Sequence, residues 1–142
     1  MFAGVCAVLA AFSVMANDVA TDPQVRARIY VMKMLGEQAG KLDVVVASEA
    51  SYDPGVARTV VAEIGELARQ VPLLFKDEKT DHHSRASAEI WEYFEDFSRI
   101  SIGLADMADE ASTGLATLQD ATDLSERVQS YCEACHDRFV TP

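Results

Sequence analysis

Through most of this chain, apolar residues recur every three or four positions, and no stretch alternates apolar and polar residues as a half-buried strand does. A spacing of three and four places apolar side chains along one face of an α-helix. Two of these segments begin at an Asp-Pro pair, Asp22-Pro23 and Asp53-Pro54, which is typical of an N-cap followed by proline at the first helical position. The pattern therefore predicts an all-helical fold.

The first two predicted helices follow the Asp-Pro pairs. The first extends to about Ala50, and its apolar stripe consists of Val25, Ile29, Met32, Leu35, Ala39, Leu42 and Val46. The second is expected to kink or end at Pro72, because proline has no amide hydrogen to donate. The polar segment 76–84 that follows is expected to be a loop, in which the adjacent His82 and His83 are solvated.

The third and fourth predicted helices occupy the second half of the chain. The third stripe begins at Ile90 and continues to Leu118, and Thr122 is expected to cap the fourth helix. The stripe of the fourth helix consists of Leu124, Val128, Tyr131, Cys135 and Phe139. Four amphipathic helices with short connections predict an antiparallel up-down-up-down four-helix bundle around one shared core.

The fourth helix carries the motif Cys132-Glu133-Ala134-Cys135-His136. Cys-x-x-Cys-His is the attachment signature of a c-type haem. The two thiols form thioethers with the haem vinyl groups, and the imidazole ligates the iron from one side. On a helix, Cys132, Cys135 and His136 stand at i, i+3 and i+4 and share one face. We therefore predict one covalent haem on the last helix, with His136 as an axial ligand.

Two other kinds of site also use a Cys-x-x-Cys pair. A redox dithiol requires a preceding strand and a βαβ pattern, which the chain lacks at the level of sequence. A zinc site requires two more ligands. The remaining candidates for those ligands are Cys6, inside an apolar leader, and the neighbouring His82 and His83. Haem attachment is the favoured interpretation, and a thiol oxidoreductase is the weaker alternative.

The first sixteen residues carry no charge and resemble the apolar core and small-residue cleavage site of a secretory signal. We predict a signal peptide over residues 1–16, cleaved after Ala16, and a bundle domain over residues 17–142. Because no Lys or Arg precedes the apolar run, a start further upstream and an uncleaved anchor both stay open. The run is shorter than the roughly 20 residues that span a bilayer. Export to the periplasm agrees with the motif, since c-type haem is attached outside the cytoplasm.

The chain is acidic, with a net charge of −11 over 142 residues. This charge argues against nucleic acid as a partner. It suits a redox partner protein with a basic docking face, although solubility alone explains it equally well. No acid–base or nucleophile constellation is recognisable, so we do not expect an enzyme. No membrane span is expected in the mature chain.

The chain resembles the class II c-type cytochromes, the cytochrome c′ family, from about Arg28 to Phe139. The matching stretches are 28–36, 71–75 with Ile90-Trp91, and 132–139. Members of this family are four-helix bundles with Cys-x-x-Cys-His on the last helix. The resemblance implies the same fold and a covalent haem c here, and it also allows a homodimer.

The resemblance also implies roles for two residues of the first helix. In high-spin members an apolar side chain such as leucine covers the distal face of the haem, whereas in low-spin members a methionine ligates the iron. Met32 occupies the matching position, and Arg28, one turn earlier, matches an arginine that pairs with a haem propionate. From the residues alone, Met32 is an ordinary core methionine and Arg28 a surface arginine. Met34 lies about 200° around the helix from Met32.

These positions separate two functions. Iron ligated by His136 and Met32 implies a periplasmic electron carrier. Five-coordinate iron, with Met32 only covering the distal face, implies a protein that binds NO or CO. The chain departs from many family members at Val140, four positions after the haem histidine, where a basic residue is common. Arg138 is close in sequence, but it points elsewhere on the helix.

Overall fold

The computed structural model describes residues 19–142. The predicted signal peptide, residues 1–16, therefore lies outside the described residues. The helices are α1 Pro23–Ala47, α2 Pro54–Leu74, α3 Glu89–Glu92, α4 Phe94–Ser112 and α5 Leu118–Phe139. The four long helices form a ring, in which α1 and α4 each pack against both α2 and α5. This arrangement confirms the predicted all-α four-helix bundle. Among residues 19–142, no helix has the length and apolar character needed to cross a bilayer.

The two predicted Asp-Pro starts are confirmed. The carboxylate of Asp22 accepts hydrogen bonds from the backbone N–H groups of Gln24 and Val25, at 2.7 and 3.1 Å. The Asp53 carboxylate accepts in the same way from the two matching amides of α2. Each aspartate therefore satisfies two of the N–H groups that a helix leaves without partners in its first turn.

α1 ends at Ala47, three residues before the predicted end, because Ser48 takes over the carbonyls of its last turn. The Ser48 N–H donates to the Val45 carbonyl at 3.3 Å, and its hydroxyl donates to the Val44 carbonyl at 2.8 Å. A short 3₁₀ turn over Glu49–Ser51 then leads towards α2.

Pro72 was predicted to kink or end the second helix. It does not end the helix, since α2 continues to Leu74. A proline at this position cannot donate to the carbonyl four residues earlier, which belongs to Ala68. In the structure the buried hydroxyl of Ser101, on α4, donates to that carbonyl at 2.7 Å. A side chain from the neighbouring helix therefore replaces the missing backbone bond.

Replacing Ser101 with alanine should lower the free energy of unfolding by about 1–3 kcal/mol, because the buried Ala68 carbonyl then loses its donor. In a Pro72→Ala background the same change should cost clearly less, since an alanine at position 72 would supply a backbone N–H to that carbonyl. Urea unfolding of the four proteins of this double-mutant cycle measures the difference. Ser98→Ala is the matched control, because the Ser98 hydroxyl is buried on the same helix without a hydrogen-bond partner among the described residues. Equal costs of Ser101→Ala in both backgrounds would contradict the explanation.

The structure divides the third predicted stripe, which ran from Ile90 to Leu118. Tyr93, with φ −122° and ψ 44°, interrupts the helix and separates α3 from α4. α4 ends at Ser112 because hydroxyls take the carbonyls of its last turn, Ser112 donating to Asp109 at 2.7 Å and Thr113 to Glu110 at 3.2 Å. The third helix is therefore shorter than predicted.

The predicted cap of the last helix, Thr122, is also wrong. The N-cap is Thr117, whose hydroxyl accepts from the Asp120 N–H at 3.2 Å while the Asp120 carboxylate accepts from the Thr117 N–H at 2.9 Å. This reciprocal capping box starts α5 at Leu118. Thr122 lies inside the helix and donates to the Leu118 carbonyl at 2.9 Å. The Thr-x-x-Asp spacing was present in the sequence and is the signal that could have identified this start.

Two clusters of buried residues form the core. The larger cluster lies among all four long helices and includes Leu42, Val61, Ile64, Ala105, Leu124 and Val128. The smaller cluster consists of Val31, Val71, Phe75, Ile90, Phe97 and Phe139. Its aromatic rings pack tightly, with centroids 5.1 Å apart for Phe75 and Phe97, and 5.3 Å apart in an edge-to-face pair for Phe97 and Phe139. We call this smaller cluster the aromatic cluster. It lies beside the end of α5 that carries the Cys-x-x-Cys-His motif, and Cys135 packs against it.

Candidate functional site

The last two turns of α5 bring the predicted motif to a cavity. Cys135 and His136 both line a cavity of about 650 Å³, a volume within the range of small-molecule and cofactor sites. Cys132, one turn earlier, packs against the larger core cluster. The helix therefore presents one thiol and the imidazole to the cavity, with the second thiol adjacent on the same helix.

Both motif cysteines are partly buried. Burial raises the pKa of Cys132 above its usual value and raises the pKa of Cys135 to about 11. Redox dithiols work through a lowered thiol pKa, which supplies the reactive thiolate at neutral pH. The surroundings of these two thiols therefore argue against the thiol oxidoreductase interpretation.

The cavity combines an apolar lining with a few polar groups. Its apolar lining includes Ile29, Met32, Phe75, Ile90, Phe97, Phe139 and Val140. Its polar lining includes the guanidinium-bearing Arg28 and Arg85 as well as His83. A haem has an apolar ring and two carboxylates, so apolar walls with a thiol, an imidazole and two arginines match its chemistry. The residues present therefore fit the predicted cofactor.

Met32, the predicted distal residue, lies on α1 and lines the cavity that His136 lines from α5. It is partly buried and packs against the aromatic cluster. Ile29 lines the same cavity, which explains why a residue of the predicted apolar stripe is 42% exposed. Met34 is not among the lining residues. Of the two methionines, only Met32 therefore faces the site.

Arg28 is buried, with only 2% of its surface exposed, rather than the surface arginine that the residues alone suggested. Its Nε donates to the Leu74 carbonyl at 2.8 Å, one terminal nitrogen donates to Lys79 at 2.7 Å, and the other donates to Asp77. The guanidinium also lies 4.6 Å from the centre of the Phe75 ring.

These contacts give Arg28 a structural role that the sequence did not indicate. The side chain from α1 holds the C-terminal end of α2 and the first part of the loop that follows it. A guanidinium has five N–H groups, and three of them donate to these carbonyls. The other two are not committed to those bonds, and Arg28 lines the cavity. The arrangement is therefore compatible with the predicted carboxylate partner as well.

Residues 84–87 and 139–142 form a strap along one side of the cavity. The Ser87 N–H donates to the Phe139 carbonyl at 2.9 Å, and the Thr141 N–H donates to the Arg85 carbonyl at 2.8 Å. The Arg85 guanidinium returns two bonds to the Thr141 carbonyl, at 3.1 and 2.8 Å. Val140 pairs with Ala86 and lines the cavity. No sequence motif marks Arg85, because only this pairing brings it to the site.

Arg138 lies outside the cavity lining, as expected from its position on the helix. It contacts Asp96 at 3.1 Å and Glu89 at 3.6 Å, and its guanidinium lies 4.4 Å from the centre of the Tyr93 ring. Hydrogen bonds from Arg138 and Arg99 lower the pKa of Asp96 below its usual value. Arg138 therefore joins α5 to α3 and α4.

The two loop histidines differ from each other. His82 is 76% exposed at its side chain, which agrees with the predicted solvated residue. The His83 side chain is only 20% exposed and lines the cavity, so the prediction of a solvated His83 is wrong. Its backbone N–H donates to the Asp81 carboxylate at 3.0 Å, and this bond holds His83 beside the site.

Comparison with known proteins identifies relatives of this chain and its fold. The family model described as Cytochrome C′ matches residues 23–140. Cytochrome c-556 of Agrobacterium tumefaciens strain apple 185 is 27% identical over 117 residues, covering 80% of this chain and 90% of that protein. The structure of cytochrome c′ from Rhodopseudomonas palustris gives a TM-score of 0.77 at 25% identity, covering 85% of this chain and 98% of the other. An NMR-validated model of oxidised cytochrome c556 from R. palustris gives a TM-score of 0.74 at 21% identity, covering 84% and 97%, and shares the fold.

Proposed function

The chain belongs to the cytochrome c′ family, and from this premise we propose that it is a periplasmic electron carrier whose haem iron is ligated by His136 and Met32. The observation that carries the proposal is that Met32 on α1 and His136 on α5 line the same cavity. The cofactor is a covalently attached haem c, as in the rest of the family. When bound, haem c supplies a one-electron Fe(III)/Fe(II) couple.

In this proposal the motif on α5 holds the cofactor. Cys132 and Cys135 provide the two thioethers, and His136 provides the proximal imidazole. Thioether formation with vinyl groups consumes both thiols, which leaves no dithiol chemistry at this site.

Met32 would set the function of the site by supplying a second side chain that ligates the haem iron. Its thioether sulfur favours Fe(II) and raises the reduction potential relative to two imidazole ligands. With iron ligands supplied by two helices of the bundle, the bound haem would transfer an electron with little rearrangement. The rings of Phe75, Phe97 and Phe139 line this side of the cavity, and such apolar surroundings would act in the same direction on the potential.

The two arginines of the lining are the candidate partners of the haem propionates. Arg28 retains N–H groups beyond its three carbonyl bonds, and Arg85 is held in place by Thr141. A guanidinium matches a carboxylate because it can offer two parallel N–H donors. This pairing would fix the orientation of the cofactor in the cavity.

The acidic surface supports a basic docking face on the redox partner. With a net charge of −11, long-range attraction would speed the encounter with a positively charged partner. The similarity to proteins named cytochrome c-556 gives the electron-transfer role slight support, although the similar structures also include cytochromes c′. Export with cleavage after Ala16 is part of the proposal, since haem c is attached outside the cytoplasm.

Absorption and EPR spectra of the haem-loaded protein test the proposal. Ligation by His136 and Met32 should give low-spin spectra in both oxidation states, with a weak sulfur-to-iron charge-transfer band in the oxidised form. A high-spin, five-coordinate spectrum would overturn the proposal. The protein would then be assigned to NO or CO binding, with Met32 as a residue that only covers the distal face.

A further inference from the structure

The loop between α2 and α3 brings one carboxylate and two imidazoles together, and His83, one of the three residues, also lines the cavity. The Asp81 Oδ1 lies 3.2 Å from His82 Nδ1 and 3.1 Å from His83 Nδ1. One ligand atom from each residue lies within 4.8 Å of both others. The centres of the two imidazole rings are 3.8 Å apart. Three groups that commonly ligate metal ions therefore converge on one point.

The carboxylate of this cluster is held in place before any ligand arrives. The Asp81 side chain is 4% exposed. Its Oδ2 accepts from the N–H and the hydroxyl of Thr21, at 2.8 and 2.9 Å, while Oδ1 faces the imidazoles. The backbone N–H groups of His83 and Thr21 hold the pKa of Asp81 well below its usual value. Thr21 thus acts as outer-shell partners do in metal sites, where they orient the ligands.

We propose that Asp81, His82 and His83 form a binding site for a divalent transition-metal ion of the kind that prefers imidazole, represented by Zn²⁺. Two imidazoles and one carboxylate are a common ligand set for such ions, and three protein ligands leave a position for water. His82 is 76% exposed, so the ion enters from solvent and exchanges freely. The net charge of −11 concentrates cations near the protein.

The ligand chemistry separates this site from diffuse binding by acidic residues. Mg²⁺ and Ca²⁺ prefer sites built from oxygen ligands, so a site with two nitrogen ligands discriminates against them. Glu78, three residues before Asp81 in the same loop, is exposed and lies outside the cluster. It provides the matched control for non-specific attraction.

Equilibrium dialysis of the haem-loaded protein against Zn²⁺, without a polyhistidine tag, tests the site, with zinc counted per haem iron by mass spectrometry. One Zn²⁺ per chain is expected, and excess Mg²⁺ should not displace it. His82→Ala should weaken the affinity at least tenfold, about the range expected for lost metal-site partners. Glu78→Gln should leave the affinity unchanged. His82 is the decisive position because its exposed side chain can be removed without disturbing the cavity that His83 lines.

Asp81→Asn is the second variant, because asparagine keeps the size of the side chain and removes its charge. It should also weaken Zn²⁺ binding, whatever the spin state of the haem iron proves to be. Wild-type affinity in His82→Ala, displacement of Zn²⁺ by Mg²⁺, or equal loss in Glu78→Gln would each overturn the site. Because the haem spectrum is read separately, failure of this site and failure of the electron-carrier proposal are distinguishable.

Discussion

Met32→Leu is expected to convert the protein from a low-spin to a high-spin haem protein that binds CO and NO. Leucine has no sulfur, so the second axial position loses its ligand while His136 keeps the first. Absorption and EPR spectra in both oxidation states measure the conversion, and titration with CO measures the opened position. We expect a nearly complete change of spin state.

The fold should survive this change. Leucine and methionine have similar volumes, and swaps of this kind in a core usually cost less than about 1.5 kcal/mol. Covalent attachment through Cys132 and Cys135 should also persist, because neither thiol is altered. Haem staining after acid–acetone extraction and denaturing electrophoresis checks that the colour stays with the protein band. A loss of colour would show that the change acts on attachment rather than on ligation.

Met34→Leu is the matched control, because Met34 lies on α1 but does not line the cavity. Its spectra should equal those of the unmutated protein. If Met32→Leu also leaves the spectra unchanged, Met32 is only a core residue and its assignment as a ligand fails. If the unmutated protein is already high-spin, the gas-binding function takes the place of the electron carrier.

Arg28→Met is expected to lower the free energy of unfolding by about 3 kcal/mol, the largest stability effect that we predict. The substitution keeps much of the buried stem but removes three hydrogen bonds to carbonyls and the contact with the Phe75 ring. The Leu74 carbonyl keeps a second donor, Gln24, at 3.1 Å, which limits the loss. Urea unfolding monitored by far-UV circular dichroism measures the change.

Two further variants separate the structural contribution of Arg28 from its charge. Arg26→Met is the matched control, since Arg26 is an exposed arginine on the same helix that donates to the carbonyls of Ala20 and Thr21. It should change the stability far less. Arg28→Lys keeps the charge but not the planar fork, so it should recover only part of the lost stability.

The reduction potential distinguishes two roles of Arg28: holding the end of α2 and the loop that follows it, or also pairing with a haem propionate. If Arg28 also pairs with a propionate, Arg28→Lys should shift the potential and its dependence on pH, because the carboxylate then titrates beside a different cation. An unchanged potential together with the loss of stability would restrict Arg28 to holding the loop after α2.

The helix starts and the haem motif could be predicted because the interactions that define them are local. The carboxylates of Asp22 and Asp53 each accept from the backbone N–H groups two and three residues later. A separation this short can be recognised in the sequence alone. Thr117 is also a local cap, since it exchanges hydrogen bonds with Asp120 three residues later, but the apolar pattern that continues to Leu118 does not reveal it. The motif residues stand at i, i+3 and i+4, so helical periodicity alone places them on one face.

Other features required the tertiary structure because their partners lie far along the chain. α2 continues through Pro72 because the Ser101 hydroxyl, on α4, donates a hydrogen bond to the Ala68 carbonyl that Pro72 cannot bond. Arg28 is buried since carbonyls 46 to 51 residues away accept its hydrogen bonds. A sequence pattern predicts which face of a helix is apolar, but it does not predict which buried polar groups find partners on another element.

The sequence by itself therefore determined the helical bundle, the starts of its first two helices and the attachment motif, because each depends on neighbours within one or two helical turns. Only the tertiary structure decided which side chains surround the motif. Met32 from α1 lines the cavity because the bundle packs α1 against α5, and Arg85 reaches it because residues 84–87 pair with residues 139–142. Such contacts depend on the packing of distant segments, and no local pattern along the chain encodes them.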